Sequence, residues 1–331
     1  MKKIIFSPNT SISFFSKRRE RRFKKSNSSL FSMEGGFILV LTLGFLAILA
    51  ANALILTEFV NRRMELHHNQ KTRFLVEKLA SAGITAAESI LLMDTNTYDW
   101  FSDIWVKPKH MEFPEGSVDI TIEALDTRFN VNSIINRDKS FNTQASTIFS
   151  NLLSVMGFSS SLLDTLLDWF DSDDFPRVFG AESDYYGTLS PPYKPTNGPL
   201  DDIYELAYIK GFTPEILLHS PQGKGLLDLL TTVSDNKINV NMADPIILQA
   251  MGYSSESVEK ILNERELRPL SIGILMQIDR QTTSSLTRVI KFSSSYFRII
   301  SKAESNNITF TRSVIVQRAN NKITRLRWER N

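Results

Sequence analysis

The sequence predicts an α+β protein: a long N-terminal helix, then a sheet that a mostly helical segment interrupts. Three observations carry this reading. An apolar run from Phe37 to Leu56 passes without proline into an amphipathic stretch that ends near Met93. A period-two strand pattern, Ser117-Val118-Asp119-Ile120-Thr121-Ile122-Glu123-Ala124-Leu125, finds its counterparts near the C-terminus, at Tyr296–Ala303, Ile308–Gln317 and Ile323–Trp328. Between them, residues 140–235 read as short helices divided by turns.

The apolar run spans about 20 residues, which at ~1.5 Å per residue gives ~30 Å of helix, the thickness of a bilayer core. Beyond Thr57-Glu58 the pattern changes, and Phe74, Leu75, Leu79, Ala82, Ala86, Ile90 and Leu91 recur at helical spacing. No proline stands between Pro8 and Pro108, so one helix is expected from about Ile38 to Met93, apolar all round in its first half and amphipathic in its second. Trp100, Trp105, Pro108 and Pro114 mark a loop, and Phe129-Asn130-Val131-Asn132 is expected to continue the sheet. Helices are expected at Gln144–Met156, Ser160–Phe170, Leu200–Ile209, Pro214–Leu218 and Gly225–Val233. The chain thus divides into a leader (1–36), the long helix (37–93, membrane-spanning over 37–56), a sheet domain (94–135 and 290–331) and an inserted helical domain (136–289).

The leader carries nine Lys/Arg against Glu20 and Glu34, a net +7; the whole chain is +2, so the part from Phe37 onward is −5. An acidic body argues against non-specific nucleic-acid binding. The basic leader is expected to stay cytoplasmic, which sends the body across the membrane. No cysteine is present, so no disulfide supports the fold. An ordinary secretory signal is cut after its apolar segment. Here the small pair in Glu34-Gly35-Gly36 precedes Phe37. An uncleaved membrane anchor is the plain alternative. The layout itself resembles that of type IV pilin-like precursors, which prepilin peptidase cuts on the cytoplasmic side.

Two further motifs narrow the resemblance. One is Leu166-Leu167-Asp168-Trp169-Phe170-Asp171-Ser172-Asp173-Asp174-Phe175-Pro176-Arg177 with Gly180-Ala181-Glu182-Ser183-Asp184-Tyr185-Tyr186, Pro191-Pro192-Tyr193 and Asn197-Gly198-Pro199-Leu200. The other is Lys237-Ile238-Asn239-Val240-Asn241-Met242-Ala243. Together with the leader they make the chain similar to the K-type minor pseudopilins of type II secretion systems (general secretion pathway protein K). The resemblance implies a pilin-like fold, its long helix packed on an antiparallel sheet that carries a large helical insertion. It implies cleavage after Gly36 and N-methylation of Phe37. It also implies a place at the tip of the pseudopilus, with the I- and J-type minor pseudopilins, the major pseudopilin, prepilin peptidase and the inner membrane as partners, and a periplasmic body. Pilin-like proteins generally carry Glu at the fifth position after the cut, where it neutralises a neighbour's N-terminal amine. Here that position is Leu41, which suits a subunit with no such neighbour to serve.

Residues 164–205 hold ten Asp/Glu against Arg177 and Lys194. Such crowding reads either as a solvated acidic loop or as a site for a hard cation, which takes six to eight oxygens. The EF-hand pattern of Gly and Glu is missing. The resemblance to a family that binds calcium in its helical domain favours calcium. The expected ligands are Asp171, Asp173, Asp174, Glu182 and Asp184, with Asn197 and Asp201 as further candidates.

Residues 236–268 resemble a helix-hairpin-helix unit, with helices expected at Ile246–Met251 and Glu256–Arg265. A DNA-binding hairpin presents backbone N–H groups to phosphate from a Gly-rich turn. This one has Gly252 alone and a net charge of −1, so a structural or protein-contact role is expected and no nucleic-acid partner. His67, His68, His110 and His219 have no metal-ligand spacing, and no nucleophile elbow or phosphate loop is present. No enzyme is expected. The competing readings are a type IV pilus minor pilin in adhesion or DNA uptake, and a membrane-anchored hydrolase using paired carboxylates.

Overall fold

The computed structural model describes residues 31–221 and 223–329; the basic leader up to Leu30 lies outside them. Helix α1 covers Phe31–Met93, so it starts earlier than expected and runs through Gly35-Gly36, although each glycine costs a helix about 1 kcal/mol against alanine. The described residues fall into two units that divide at His67/His68. In the first, every side chain from Gly36 to His67 is exposed, and an 18-residue window reaches a mean hydropathy of 2.5, apolar enough to cross a membrane.

The second unit begins on α1 at His68. Its buried stripe is Thr72, Val76, Ala80, Gly83, Ile84, Ala87 and Leu91. The expected stripe is offset from this: Phe74 and Ala82 face solvent, while Leu75, Leu79, Ala86 and Ile90 lie at its flanks. Small residues occupy the centre because helix and sheet approach closely there. A Cβ on Gly83 would strike Ser301 Oγ and stand 2.8 Å from Val118 Cγ1.

Strands β1 (Lys109–Phe113) and β2 (Gly116–Ala124) follow. β1 lies in the stretch expected to be a loop. Its sequence has no alternation, and pairing with β2 makes it a strand. The expected continuation at Phe129 does not extend this sheet. β3 (Phe129–Asn130) instead pairs in parallel with β4 (Leu230–Thr231), one hundred residues away in sequence.

The intervening chain forms α2 (Thr143–Val155), α3 (Ser161–Phe170), α4 (Ser183–Gly187), a 3-10 turn at Ile203–Tyr208, α5 (Pro214–Leu218) and α6 (Leu226–Leu229). The expected α-helix at 200–209 is thus 3-10, and the one at 225–233 ends after a single turn and becomes β4. Then come β5 (Ile238–Asn239), α7 (Pro245–Ala250), α8 (Ser255–Leu267), α9 (Ile272–Ile278), α10 (Arg280–Ser285) and β6 (Ile290–Lys291), the last parallel to β5.

The chain returns as β7 (Tyr296–Ser305), β8 (Ile308–Ala319) and β9 (Lys322–Glu329), giving an antiparallel sheet in the order β1-β2-β7-β8-β9. The β7–β8 and β8–β9 hairpins turn on asparagine pairs with positive φ, Asn306-Asn307 and Asn320-Asn321, which suits type I′ two-residue loops. Two separate cores result. One packs the α1 stripe on Val118, Ile120, Ile122, Phe297, Ile299, Val314 and Val316. The other lies within the insertion and already includes Phe129, Val131 and Ile134.

Buried polar groups join these parts. Arg318 on β8 pairs with Asp94 (3.0 Å) and forks onto Asp99 (2.6 and 2.7 Å) just past α1. Asp99 also takes the Ser294 N–H and gives its own N–H to the Phe292 carbonyl, at the return from the insertion. Asp126, at the exit, accepts from Ser295 N (2.6 Å) and Tyr296 N (2.9 Å) and meets Lys291 Nζ at 3.0 Å. The two asparagines of the third motif are backbone staples. Asn239 donates to Ser294 Oγ, and Asn241 donates to the Phe292 carbonyl and accepts from Leu270 N at 2.7 Å.

Removing one partner of a buried pair strands the other charge. Arg318→Met is therefore expected to destabilise the full-length protein in detergent by about 3–5 kcal/mol, read from the urea midpoint. Asn241→Ala is expected to cost about 1–3 kcal/mol through the unpaired Leu270 N–H and Phe292 carbonyl.

Candidate metal centre

α3 places Leu162, Leu166, Trp169 and Phe170 in the core of the insertion. Its last turn also buries Asp168, whose side chain has no exposed area. Asp171 closes the helix, its N–H donating to the Leu167 carbonyl at 3.0 Å. Two carboxylates thus sit at the end of a helix that already carries partial negative charge, an unfavourable place for anions. The loop then returns so that Glu182 starts α4. One carboxylate oxygen from each of Asp168, Asp171 and Glu182 lies within 4.8 Å of the other two. Gly180 makes this return possible: a Cβ there would run into Asp168 Oδ2 and stand 3.0 Å from Arg177 N.

Arg177 supplies part of the neutralising charge. Its Nη1 bridges Asp168 Oδ1 and Asp171 Oδ2, the latter at 2.6 Å, and its backbone N–H donates to Asp168 Oδ2 at 3.1 Å. Its guanidinium also lies 4.9 Å from the centre of the Phe141 ring. Glu182 receives nothing from it. Glu182 is 4% exposed, and both its oxygens are buried without a hydrogen-bond partner, as is Asp171 Oδ1. Burial, then the charges of Asp168, Asp171, Asp173 and Asp174, push the Glu182 carboxyl up to about 7. Burial raises Asp171 as well, with Arg177 pulling it back.

A second acidic group, Asp94, Asp99 and Asp103, has the same compactness and a different condition. All six of its carboxylate oxygens accept a hydrogen bond, from Arg318, Trp105 Nε1, Ser294 N, Trp100 N and both nitrogens of Asn96. Three of six are unpartnered around Glu182. Buried anionic oxygens without donors suit a hard cation, for which carboxylates are the usual ligands.

Of the residues expected as ligands, Asp171 and Glu182 come together. Asp168, which the sequence reading left out, joins them. The signal for it was present: it lies three residues before Asp171, the helical spacing that puts both at one end of α3. Asp173 and Asp174 are exposed, and Asp173 Oδ1 accepts from Phe175 N at 2.9 Å. Asp184 is exposed in the first turn of α4. Asn197 adopts φ 53° and buries an unpartnered Oδ1. Asp201 is exposed, and its carbonyl accepts from Arg327 on β9. In the first unit, Gly36 has open space around it, and Phe37 and Leu41 are exposed.

The helix-hairpin-helix-like unit is formed by α7, the turn at Gly252 (φ 105°) and α8. Three of the four cations in residues 236–268 have partners, and Lys237 is exposed. Arg265 is buried against the Ala243 carbonyl (2.6 Å) and the Phe101 ring, while Lys260 and Arg268 pair with Glu256 and Glu264. Ser254 Oγ takes the Ser257 N–H of the hairpin.

Comparisons with known proteins agree with the motifs. The family described as type II secretion system (T2SS), protein K, matches residues 127–219, the stretch that contains α2 to α5 and the carboxylate cluster. A type II secretion system protein K of Pectobacterium carotovorum is 26% identical over 199 residues, covering 56% of this chain and 60% of that protein. One from Klebsiella pneumoniae is 25% identical over 218 residues, covering 62% and 65%. The chain thus spans under two thirds of the curated relatives it matches. Among solved structures, that of the GspK-GspI-GspJ complex from the enterotoxigenic Escherichia coli type 2 secretion system includes a chain matching 82% of this one and 100% of itself. The TM-score is 0.62 at 18% identity, which shows a shared fold. The long helix on an antiparallel sheet with a helical insertion is that fold.

Glu182 gives the site a pH signature. Its folded-state value of about 7 lies above the ordinary 4.5, so between those values the folded form holds a proton that the unfolded form has lost. In chelator, stability is expected to fall as pH rises from about 4.5 to about 7 and then to level off. Thermal midpoints across this range check it, and Glu182→Gln is expected to flatten the slope.

Proposed function

We propose that this protein is a minor pseudopilin of the K type, set at the tip of the type II secretion pseudopilus, where it initiates and caps assembly for protein export across the outer membrane. The observation that carries the reading is the match of residues 127–219 to type II secretion protein K, on a chain whose α1 has an exposed apolar half of membrane-spanning length. In this reading prepilin peptidase cuts after Gly36 and Phe37 becomes the methylated N-terminus. Residues 37–56 hold the chain in the bacterial inner membrane before assembly, with the body in the periplasm. The I- and J-type minor pseudopilins and the major pseudopilin pack against its apolar helix. Leu41 offers no carboxylate to a following subunit, and the insertion between β2 and β7 stands in the way of further addition. The role is one of assembly rather than catalysis.

The carboxylate cluster is proposed to hold calcium. Asp171 and Glu182 offer the buried unpartnered oxygens, Asp168 stands beside them, and Asn197 presents a further one. Asp173, Asp174, Asp184 and Asp201 are the remaining proposed donors. Calcium bound there supplies the positive charge that the end of α3 lacks, and these residues fix the loop from Asp171 to Asp184 in return.

Intact mass of the membrane-extracted protein, expressed with and without prepilin peptidase, tests the pseudopilin reading. The expected product is a peptidase-dependent form beginning at methylated Phe37; retention of residues 1–36 in both strains would overturn it. Saturating calcium is expected to raise the thermal midpoint by several degrees, since a ligand at about 100 times its dissociation constant adds about 2.7 kcal/mol. Glu182→Gln is expected to remove most of that gain.

A further inference from the structure

We infer that Arg177 is a built-in counter-ion that competes with the metal for the carboxylate cluster and so sets its cation affinity. This rests on the calcium reading above and assigns a separate residue within it. The geometry argues for competition. Arg177 Nη1 lies between Asp168 Oδ1 and Asp171 Oδ2, so two of the three clustered carboxylates are already engaged by one fixed positive charge. The third, Glu182, is buried with both oxygens free of donors, which points to a ligand that Arg177 does not replace. A divalent ion that reaches Glu182 and Asp171 Oδ1 must share Asp171 with the guanidinium.

The loop also has anchors that do not use the Arg177 side chain. Its backbone N–H, which any residue but proline provides, is what binds Asp168 Oδ2. The Gly180 N–H likewise bonds the Arg177 carbonyl at 3.0 Å, and Lys210 Nζ holds the Gly180 carbonyl at 2.9 Å. The side chain adds a positive charge between two carboxylates, steadied by the Phe141 ring. The satisfied Asp94–Asp99–Asp103 group shows the other outcome: there Arg318, together with backbone, indole and Asn96 donors, leaves no oxygen free for an ion.

Removing Arg177 changes the cluster from three anions and one cation to three anions, and calcium affinity rises with ligand charge. Arg177→Gln is expected to bind calcium roughly tenfold more tightly than the unaltered chain. Arg177→Lys keeps the charge without the fork and is expected to fall between them. The experiment is calorimetric titration of calcium into full-length protein in detergent, stripped with chelator, for the three chains. If Arg177→Gln does not survive stripping, Arg177→Lys alone carries the comparison. Equal or weaker binding by folded variants, with the unaltered chain still binding, overturns the inference and leaves the calcium site standing. No binding by the unaltered chain overturns the calcium reading and this inference with it.

Discussion

The second unit depends on one buried contact, the fork of Arg318 onto Asp94 and Asp99. Arg318 belongs to β8, Asp94 follows α1, and Asp99 lies in the next loop, where it also grips the chain as it comes back from the insertion. Helix, sheet and insertion therefore meet at a single guanidinium. Burial raises the Asp99 carboxyl, and Arg318 with the Ser294 N–H works against that rise. A charge pair of this kind is costly to break because either survivor is left in a dry site. Asp126 and Lys291 perform the same task on the other side of the neck. An insertion of some 170 residues between β2 and β7 can then be carried without disturbing the register of the two strands, which pair from Ser117–Glu304 to Ala124–Phe297.

Among the described residues stand two compact acidic groups, and they are resolved differently. Around Arg318 every carboxylate oxygen has a donor, so the group is finished by the protein itself. Around Arg177 half the oxygens have none, and they lie at the negative end of α3. Composition alone does not separate these cases, since each is three acids and one arginine. The difference lies in the neighbours. Trp105 Nε1, Asn96 and the Ser294 and Trp100 N–H groups converge on the first group, whereas the hydrogen bonds to the second come from Arg177, two from its guanidinium and one from its backbone N–H.

The third motif gives its asparagines a structural task. Asn239 and Asn241 are fully buried, and each spends its amide on backbone or hydroxyl groups of the β6 region and the Leu270 turn. The hairpin that follows uses Arg265 as a packing residue against Phe101. Arg265 is thus turned inward, while Lys260 and Arg268 make exposed pairs with Glu256 and Glu264.

Much of the fold was legible in the sequence because the signals were local. The period of two in Ser117–Leu125 and in the last three strands, the missing proline before Pro108 and the apolar run after Gly36 each follow from steric and solvation rules that act over a few residues. The Asn306-Asn307 and Asn320-Asn321 pairs were equally local turn signals and went unread. Tertiary structure decided what depends on distant partners. β1 is a strand only because β2 is beside it, β3 leaves the main sheet for Leu230–Thr231, and the buried stripe of α1 is shifted toward Ala80, Gly83 and Ala87 because β2 and β7 press closely there. The site divides in the same way. The sequence by itself determined that acids crowd the segment after α3. Only the folded chain decided that Asp168, Asp171 and Glu182 share one cluster while Asp173, Asp174 and Asp184 remain exposed, because a carboxylate's environment is set by what packs around it and not by its neighbours in sequence.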